Sequence, residues 1–442
     1  MKAFKIKNGL QASRYLLSST TISGSTIDLS LGSMFSTTLS SDPAYTFTNP
    51  PASGVAQAFS LEVAGGTTTF TNDAFSTDLY TGNGDPNYSN TKTITNGIDL
   101  DGEGGLVWIK KRTSGGSGVA SHFLFDTVRG SVDPWNYLKT DSTAAENADS
   151  NTLTSFNSNG FSLAYKWWVN ENNQDYVSWT FKKKAKFFDM VTYSGNSTMG
   201  RTVSHSFGST PGLVIIKSTT RSDGWYVIHK DSELLVLNNT QGNYPASTTA
   251  DYFGDGTYTV RPTSTTITVG QDSGINGTGE DFIAYIFGHD TADDSLIKCG
   301  SYTKTGSSQD IDLGWSPEWL MLKRVSSNSS NWYIMDTQRG FTTDANPVTL
   351  NPNLVDAEGG LGNVRRTSTG FNVTSNAGEE WIYVAIRATV ATDSAITWPT
   401  SIKWPAGVAP TTPVPGKKDL FTFLTTDGGT TYYGKKAAEG IA

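Results

Sequence analysis

Apolar positions in this chain come in short runs that alternate with polar residues or stand four or five together, and few recur at the spacing of a helix face. Windows such as AQAFSLEVAG (56–65), GLVIIKS (212–218) and EWIYVAIRA (380–388) are rich in β-branched and aromatic residues and bounded by Gly, Asn, Asp or Pro. That is the signature of strands. The pattern predicts an all-β chain.

The strands recur in a fixed order. LVWIK (106–110), LVIIK (213–217) and WLMLK (319–323) lie about 107 and 106 residues apart. HFLFDTVRG (122–130), WYVIHKD (225–231) and WYIMDTQRG (332–340) follow them, then TSFNSNGFSL (154–163), TSTTITV (263–269) and TSTGFNV (367–373). An aromatic strand closes each copy, DYVSWTF from Asp175, DFIAYIF from Asp281 and EWIYVAI from Glu380, and a tyrosine turn opens each, at Tyr80, Tyr193 and Tyr302. Spacings of this size are far beyond a solenoid period and near one small domain. We read three homologous modules, 72–183, 184–292 and 293–393, each with enough short strands for a two-sheet antiparallel sandwich. Leu106, Leu213 and Leu320 are expected on equivalent strands, and Tyr176, Phe282 and Trp381 at equivalent positions.

The ends complement each other. Residues 20–71 offer about four strands and 394–442 two or three, each too few for a core of its own. They are expected to form one split β-sandwich base domain, with Phe70 near Ile396 and the modules inserted in a hairpin loop between them. Residues 1–19, where Phe4 and Ile6 alternate with lysines, read as an attachment segment able to add a strand to a neighbour.

Two sets of motifs resemble known protein families. The blocks FTNPPASG (47–54), AQAFSLEV (56–63), ITWPTSIKWPAG (396–407), DLFTF (419–423) and TTDGGTTYYG (425–434) resemble, in order, a β-domain of fibre-like structural proteins of marine bacteriophages. The modules are similar to a second marine-phage domain, often in tandem, of the cyanophage and pelagiphage kind. The resemblance implies a concanavalin-like lectin sandwich, or jelly roll, in each module and a virion fibre or appendage protein. The second module departs most, because WYVIHKD lacks the Arg-Gly pair of Arg129-Gly130 and Arg339-Gly340.

Charge and composition narrow the functions. A net charge of −8 without a basic stripe argues against nucleic-acid binding. No apolar run reaches transmembrane or signal-peptide length, so membrane insertion is not expected. The single Cys299 excludes an intramolecular disulfide and reads as a core thiol.

No phosphate loop, serine elbow or zinc spacing appears, and His122, His205, His229 and His289 are scattered. No cofactor, metal or enzymatic activity is expected. Asp126 and Asp336, each three residues before an arginine, read as turn-fixing rather than acid–base residues. Asp99, Asp101 and Glu103 offer oxygen ligands for calcium without the full loop spacing, and turns use the same residues.

For carbohydrate, aromatic faces beside amides and carboxylates are the useful combination. YKWWVNENNQD (165–175) supplies it, with Tyr165, Trp167, Trp168 and Asn170 as candidate binding residues. Read as a strand, the adjacent tryptophans point to opposite faces, and the plainer reading puts one in the core and one in an interface. The expected function is a virion tail fibre or appendage that attaches to host-surface glycans. Its partners would be other tail, neck or capsid proteins and further copies of itself, as a trimer. A capsid decoration or head fibre protein is the alternative, and a polysaccharide depolymerase the second.

Overall fold

The structure, a computed structural model, describes residues 19–22, 25–38, 44–64, 67–70, 73–84, 90–129, 135–292, 295–343, 347–374, 376–388, 390–393, 396–413 and 417–441. Residues 1–18 of the attachment segment and Gly130 lie outside them. The all-β expectation holds: strands dominate and helix is limited to short turns. Two compact units emerge, one from both ends of the chain, Met1–Thr71 with Thr389–Ala442, and one from Asn72–Ala388.

In the first unit the two ends share a sheet. Strand Ser53–Ala64 pairs antiparallel with Lys418–Asp427, which pairs antiparallel with Tyr432–Ile441. Met34–Thr38 joins Ser53–Ala64 in parallel, and Ile402–Lys403 joins Tyr432–Ile441 in parallel, so the six-stranded sheet is mixed. Thr67–Phe70 and Val390–Asp393 form their own antiparallel ladder, with Phe70 opposite Val390. The C-terminal limb therefore starts at Thr389, a few residues before the expected 394.

Ile396-Thr397-Trp398, apolar enough to suggest a strand, makes a single bridge, Thr397 to Ala44, while its apolar side chains pack against the core of this unit. Trp398 sits 4.9 Å from the Phe421 ring and 5.7 Å from Phe423.

The block 47–54 meets the block 425–434. The turn after Lys418–Asp427 needs left-handed backbone at Gly428 and Gly429 (φ 71° and 80°), which glycine adopts without a Cβ penalty. A Cβ on Gly429 would lie 2.6 Å from Pro50. The Pro-Pro corner thus leaves no room for a side chain at Gly429.

The second unit contains the three modules with one strand order. The large sheet runs Phe75–Thr81, Asp175–Lys182, Gly105–Lys111, Phe123–Asp126 in module one. Module two repeats it as Phe188–Ser194, Asp281–Phe287, Leu213–Ser218, Trp225–His229, and module three as Ile297–Thr303, Glu380–Arg387, Pro317–Arg324, Trp332–Asp336. Register fixes the equivalences. Leu106 faces Phe181, Leu213 faces Phe287 and Trp319 faces Ile386. Leu320, expected to match Leu106, is one residue off and belongs to the opposite face, since a slip of one inverts a strand.

Each large sheet is buried on both sides. One face packs against its own small sheet, through three separate cores around Phe161, Ile267 and Phe371. The other faces meet in one shared core containing Trp108, Phe181, Ile215, Phe287, Trp319 and Ile386. That explains the continuous apolar runs: Gly105–Lys111 and Leu213–Ser218 are buried at every residue, as in strands covered on both faces. Much of the aromatic content fills the contacts between modules.

The modules close on one another in a cycle. At the end of each central strand stands a buried lysine, Lys110, Lys217 or Lys323. Lys217 donates to Thr143 O of module one (3.2 Å), Lys323 to Thr240 O of module two (3.0 Å) and Lys110 to Val355 O of module three (3.1 Å). Burial lowers each ammonium pKa to about 8. Between that value and the ordinary 10.5 the unfolded chain holds more protons, so stability is expected to rise with pH across this window and to show no lysine slope below it. The slope is at most about 1.4 kcal/mol per pH unit for each lysine. Urea unfolding at several pH values checks it, and Lys217→Met should flatten the rise. A parent chain with no rise would refute the assignment.

Candidate functional site

The stretch chosen from sequence folds as a helical turn, Trp167–Asn170, not a strand. Two tyrosines hold it from beneath: Tyr80 Oη donates to Val169 O (2.7 Å) and Tyr176 Oη to Trp167 O (2.5 Å), with their rings stacked at 5.1 Å. Module two repeats the device, where Tyr193 Oη donates to Ile275 O (2.6 Å) above the turn Ser273–Asn276. The tyrosine-glycine landmarks follow from this. A Cβ on Gly82 would lie 2.1 Å from Glu171 O, and one on Gly195 2.1 Å from Gly277 O, so the opening turn must be glycine to let the helical turn approach.

The four candidates do not converge on one open site. Asn170 is fully buried, accepts from Asn83 N (2.9 Å) and donates to Ala164 O (2.8 Å). Asn276 makes the same pair of bonds, with Asn196 N and Gly270 O. Asn170 is therefore a structural asparagine and leaves the candidate set. Tyr165, Trp167 and Trp168 are half-buried. Because the backbone is helical, the two indoles do not split between opposite faces but tilt together, 6.0 Å apart.

Trp168 stacks on Phe123 at 5.2 Å, under Lys166 Nζ at 4.6 Å, and Lys166 pairs with Asp149. Trp167 lies beside Lys111, whose Nζ binds Glu171 Oε2 at 2.6 Å. Burial opposes ionisation of Glu171, but hydrogen bonds from Lys111 and Ser117 outweigh it and hold its pKa below the ordinary range. What remains at the surface is an indole pair framed by Lys166 and Glu171, with Lys111 buried beneath them.

The Asp–Arg pairs are structural clamps. Asp126 Oδ2 accepts from Arg129 Nε (2.7 Å) and its Oδ1 from Arg129 N (2.9 Å); Asp336 does the same with Arg339 (2.6 and 3.0 Å). Each aspartate also pins the next module in the cycle. Tyr285 Oη donates to Asp126 (2.7 Å), and Trp179 Nε1 donates to Asp336 (2.9 Å). His229 replaces the aspartate in module two and its Nε2 donates to Tyr383 O of module three at 3.3 Å. Burial drives the His229 pKa down to about 3, which keeps the ring neutral for that role. The guanidinium absent from this turn comes from Arg261, whose Nη1 donates to His229 O at 2.9 Å.

Other candidates are similarly absorbed. Asp99 Oδ1 accepts from Gly102 N (2.8 Å) as a turn residue, and no group of three or more His, Cys, Asp or Glu is placed to hold a metal among the described residues. Cys299 is buried, with its thiol pKa raised by that burial. Among the described residues, no helix is long and apolar enough to cross a membrane.

A second open aromatic surface lies outside the sequence candidates. In the unit built from both chain ends, a groove of about 630 Å³ is lined by Trp404, Phe423, Leu424 and Tyr433 between Lys403 and Lys435. Tyr433 is 60% exposed. Strand Lys418–Asp427 alternates buried and open positions, so its sheet keeps one face toward solvent. The signal was the consecutive pair Tyr432-Tyr433, one ring for each face.

A family profile described as a domain of unknown function, DUF7483, matches residues 71–389, the span of the three modules. No curated protein matches the chain.

Proposed function

We propose that this chain, which belongs to the DUF7483 family through residues 71–389, is a bacteriophage virion appendage protein that attaches to host-surface glycans. The observation that carries the reading is the closed cycle of three sandwiches inserted as one body between the strands Thr67–Phe70 and Val390–Asp393. Burying the large sheets inward leaves the outer faces of the small sheets and the loops and turns, among them Trp167 and Trp168, as the surface each module offers. Binding here is a matter of rigid placement: repeated weak aromatic contacts on a particle with many copies add up through effective concentration. Indole and phenol faces suit the C–H faces of sugars, and Lys166, Lys403, Lys435 and Glu171 suit their hydroxyls. The reading includes no bond-breaking step.

The test uses the full-length protein, fluorescently labelled, on host cells and on purified capsular and lipopolysaccharide glycans. Retention on cells that is lost after glycan stripping supports the proposal. Trp167→Ala and Tyr433→Ala then tell the two aromatic surfaces apart. Retention on phage capsids but not on cells would favour the decoration reading, and release of reducing ends from the glycan would favour a depolymerase.

A further inference from the structure

The cyclic arrangement gives three junctions built from the same parts, and one of them lacks a part. Backbone bonds set the correspondence. At the junction of modules three and one, Arg112 N donates to Asp175 O and Arg112 O accepts from Glu358 N. At the junction of modules one and two, Thr219 N donates to Asp281 O and Thr219 O accepts from Glu146 N; in the last, Val325 stands between Glu380 and Asn243 in the same way. Arg112, Thr219 and Val325 are thus one position, and Glu358, Glu146 and Asn243 another.

In the first junction Arg112 forms a two-pronged ion pair with Glu358, Nε to Oε1 at 2.7 Å and Nη2 to Oε2 at 3.1 Å. Glu358 lies in addition 3.5 Å from Arg339. The second junction keeps the counterparts of both partners, with Arg129 Nη1 donating to Glu146 Oε2 at 3.1 Å. Thr219 is too short to reach Glu146 as Arg112 reaches Glu358, and its hydroxyl donates to Asp281 O instead. In place of a guanidinium there is a cavity of about 350 Å³, lined by Glu146, Asp281, Thr219, Tyr193, Phe282 and Arg129 among others.

The charge balance of that cavity is negative. Arg129 is buried and already matched by Asp126 at 2.7 Å. Arg201, whose guanidinium packs 5.5 Å from the Tyr193 ring, is held by Asn276 Oδ1 at 3.2 Å. Glu146 therefore faces the cavity with one cation that another carboxylate shares, and Asp281 Oδ1 accepts only from Ser194 Oγ at 2.6 Å among the described residues. The Tyr193 ring already carries Arg201 and stacks on Phe282 at 5.3 Å, so it is the carboxylates, not the rings, that the cavity offers a cation. The third junction has neither feature, since Val325 and Asn243 carry no charge.

We propose that this cavity binds a guanidinium group on a flexible stem, in the place Arg112 occupies in the sister junction and with Glu146 as its two-pronged acceptor. The source is an arginine side chain of another polypeptide or a small guanidino compound, and the chemistry is shared. The inference stands apart from the glycan reading, since it rests only on the comparison of junctions.

The experiment is titration of the full-length protein, by calorimetry and NMR, with N-acetylarginine methylamide as the peptide-like probe, agmatine as the small one, and N-acetyllysine methylamide as control. One site per chain is expected, with the arginine probe at least about tenfold tighter than the lysine probe, since only a guanidinium offers the planar fork. A preference for the methylamide over agmatine points to a polypeptide source, and the reverse to a free compound. Thr219→Arg supplies the group internally and should abolish binding while raising Tm by a few degrees, of the order that one added ion pair allows. Arg112→Thr should open a second site, so that stoichiometry goes from one to two. Absence of binding at millimolar probe, binding unchanged in Thr219→Arg, or displacement by a methyl hexoside would each overturn the proposal.

Discussion

Asp336→Ala is expected to destabilise the three-module unit by about 3–5 kcal/mol, the cost of leaving a buried charge without its partner. Asp336 and Arg339 are both fully buried, and the carboxylate also caps the turn at Arg339 N. Its Oδ2 further accepts from Trp179 Nε1 of module one, over which the Arg339 guanidinium stacks at 5.2 Å. Removing the carboxylate takes the main partner from a guanidinium that keeps only Ile334 O and Glu358 at 3.5 Å, and orphans an indole N–H and a backbone N–H at once. Asp336→Asn keeps a hydrogen-bond acceptor and should cost less, though the charge mismatch stays. Urea unfolding of the two variants beside the parent measures the difference. A loss below about 1 kcal/mol for Asp336→Ala would mean that the clamp does not hold the junction.

Much of the fold was legible because it rests on local signals. Strand periodicity, the repeated landmarks and the turn-fixing role of Asp126 and Asp336 needed only neighbouring residues. The pairing of the chain ends followed from a count of strands, each end having too few. What escaped depends on partners far away in sequence. LVWIK, LVIIK and WLMLK each end in lysine, yet nothing local says that Lys110, Lys217 and Lys323 are buried and reach across to another module. The non-alternating runs did carry a sign of burial on both faces. That sign is ambiguous from one strand, since a sandwich core and a module interface look the same.

The candidate site was less legible for a related reason. Trp167 and Trp168 were placed by strand alternation, but Tyr80 and Tyr176 lock that backbone in a helical turn from remote positions. Asn170 had the composition of a sugar ligand and the job of a turn fastener. Tandem repeats helped to separate the two, because Asn276 makes the same bonds in module two, where no tryptophan pair stands beside it. Repetition marks what the scaffold needs, and departures from it, such as Thr219 in place of Arg112, mark where modules differ in use.

Phe181→Ala is expected to cost about 3–5 kcal/mol and to weaken all three modules together. Its ring lies 5.5 Å from Phe287 of module two and 5.9 Å from Trp319 of module three, at a point where all three large sheets meet. Truncation opens a void that neighbours from three modules would have to fill, and packed sheets relax only in part. Phe161→Ala removes the same side chain from module one's own core, also fully buried. The two variants should differ in where they loosen the protein. Native-state hydrogen exchange should show Phe181→Ala raising exchange in Leu213–Ser218 and Pro317–Arg324 as much as in Gly105–Lys111, whereas Phe161→Ala acts first on the strands of module one. Modules that stack as independent beads would confine both effects to module one. Exchange confined in that way for Phe181→Ala would sink the idea that the shared core makes three sandwiches one cooperative body.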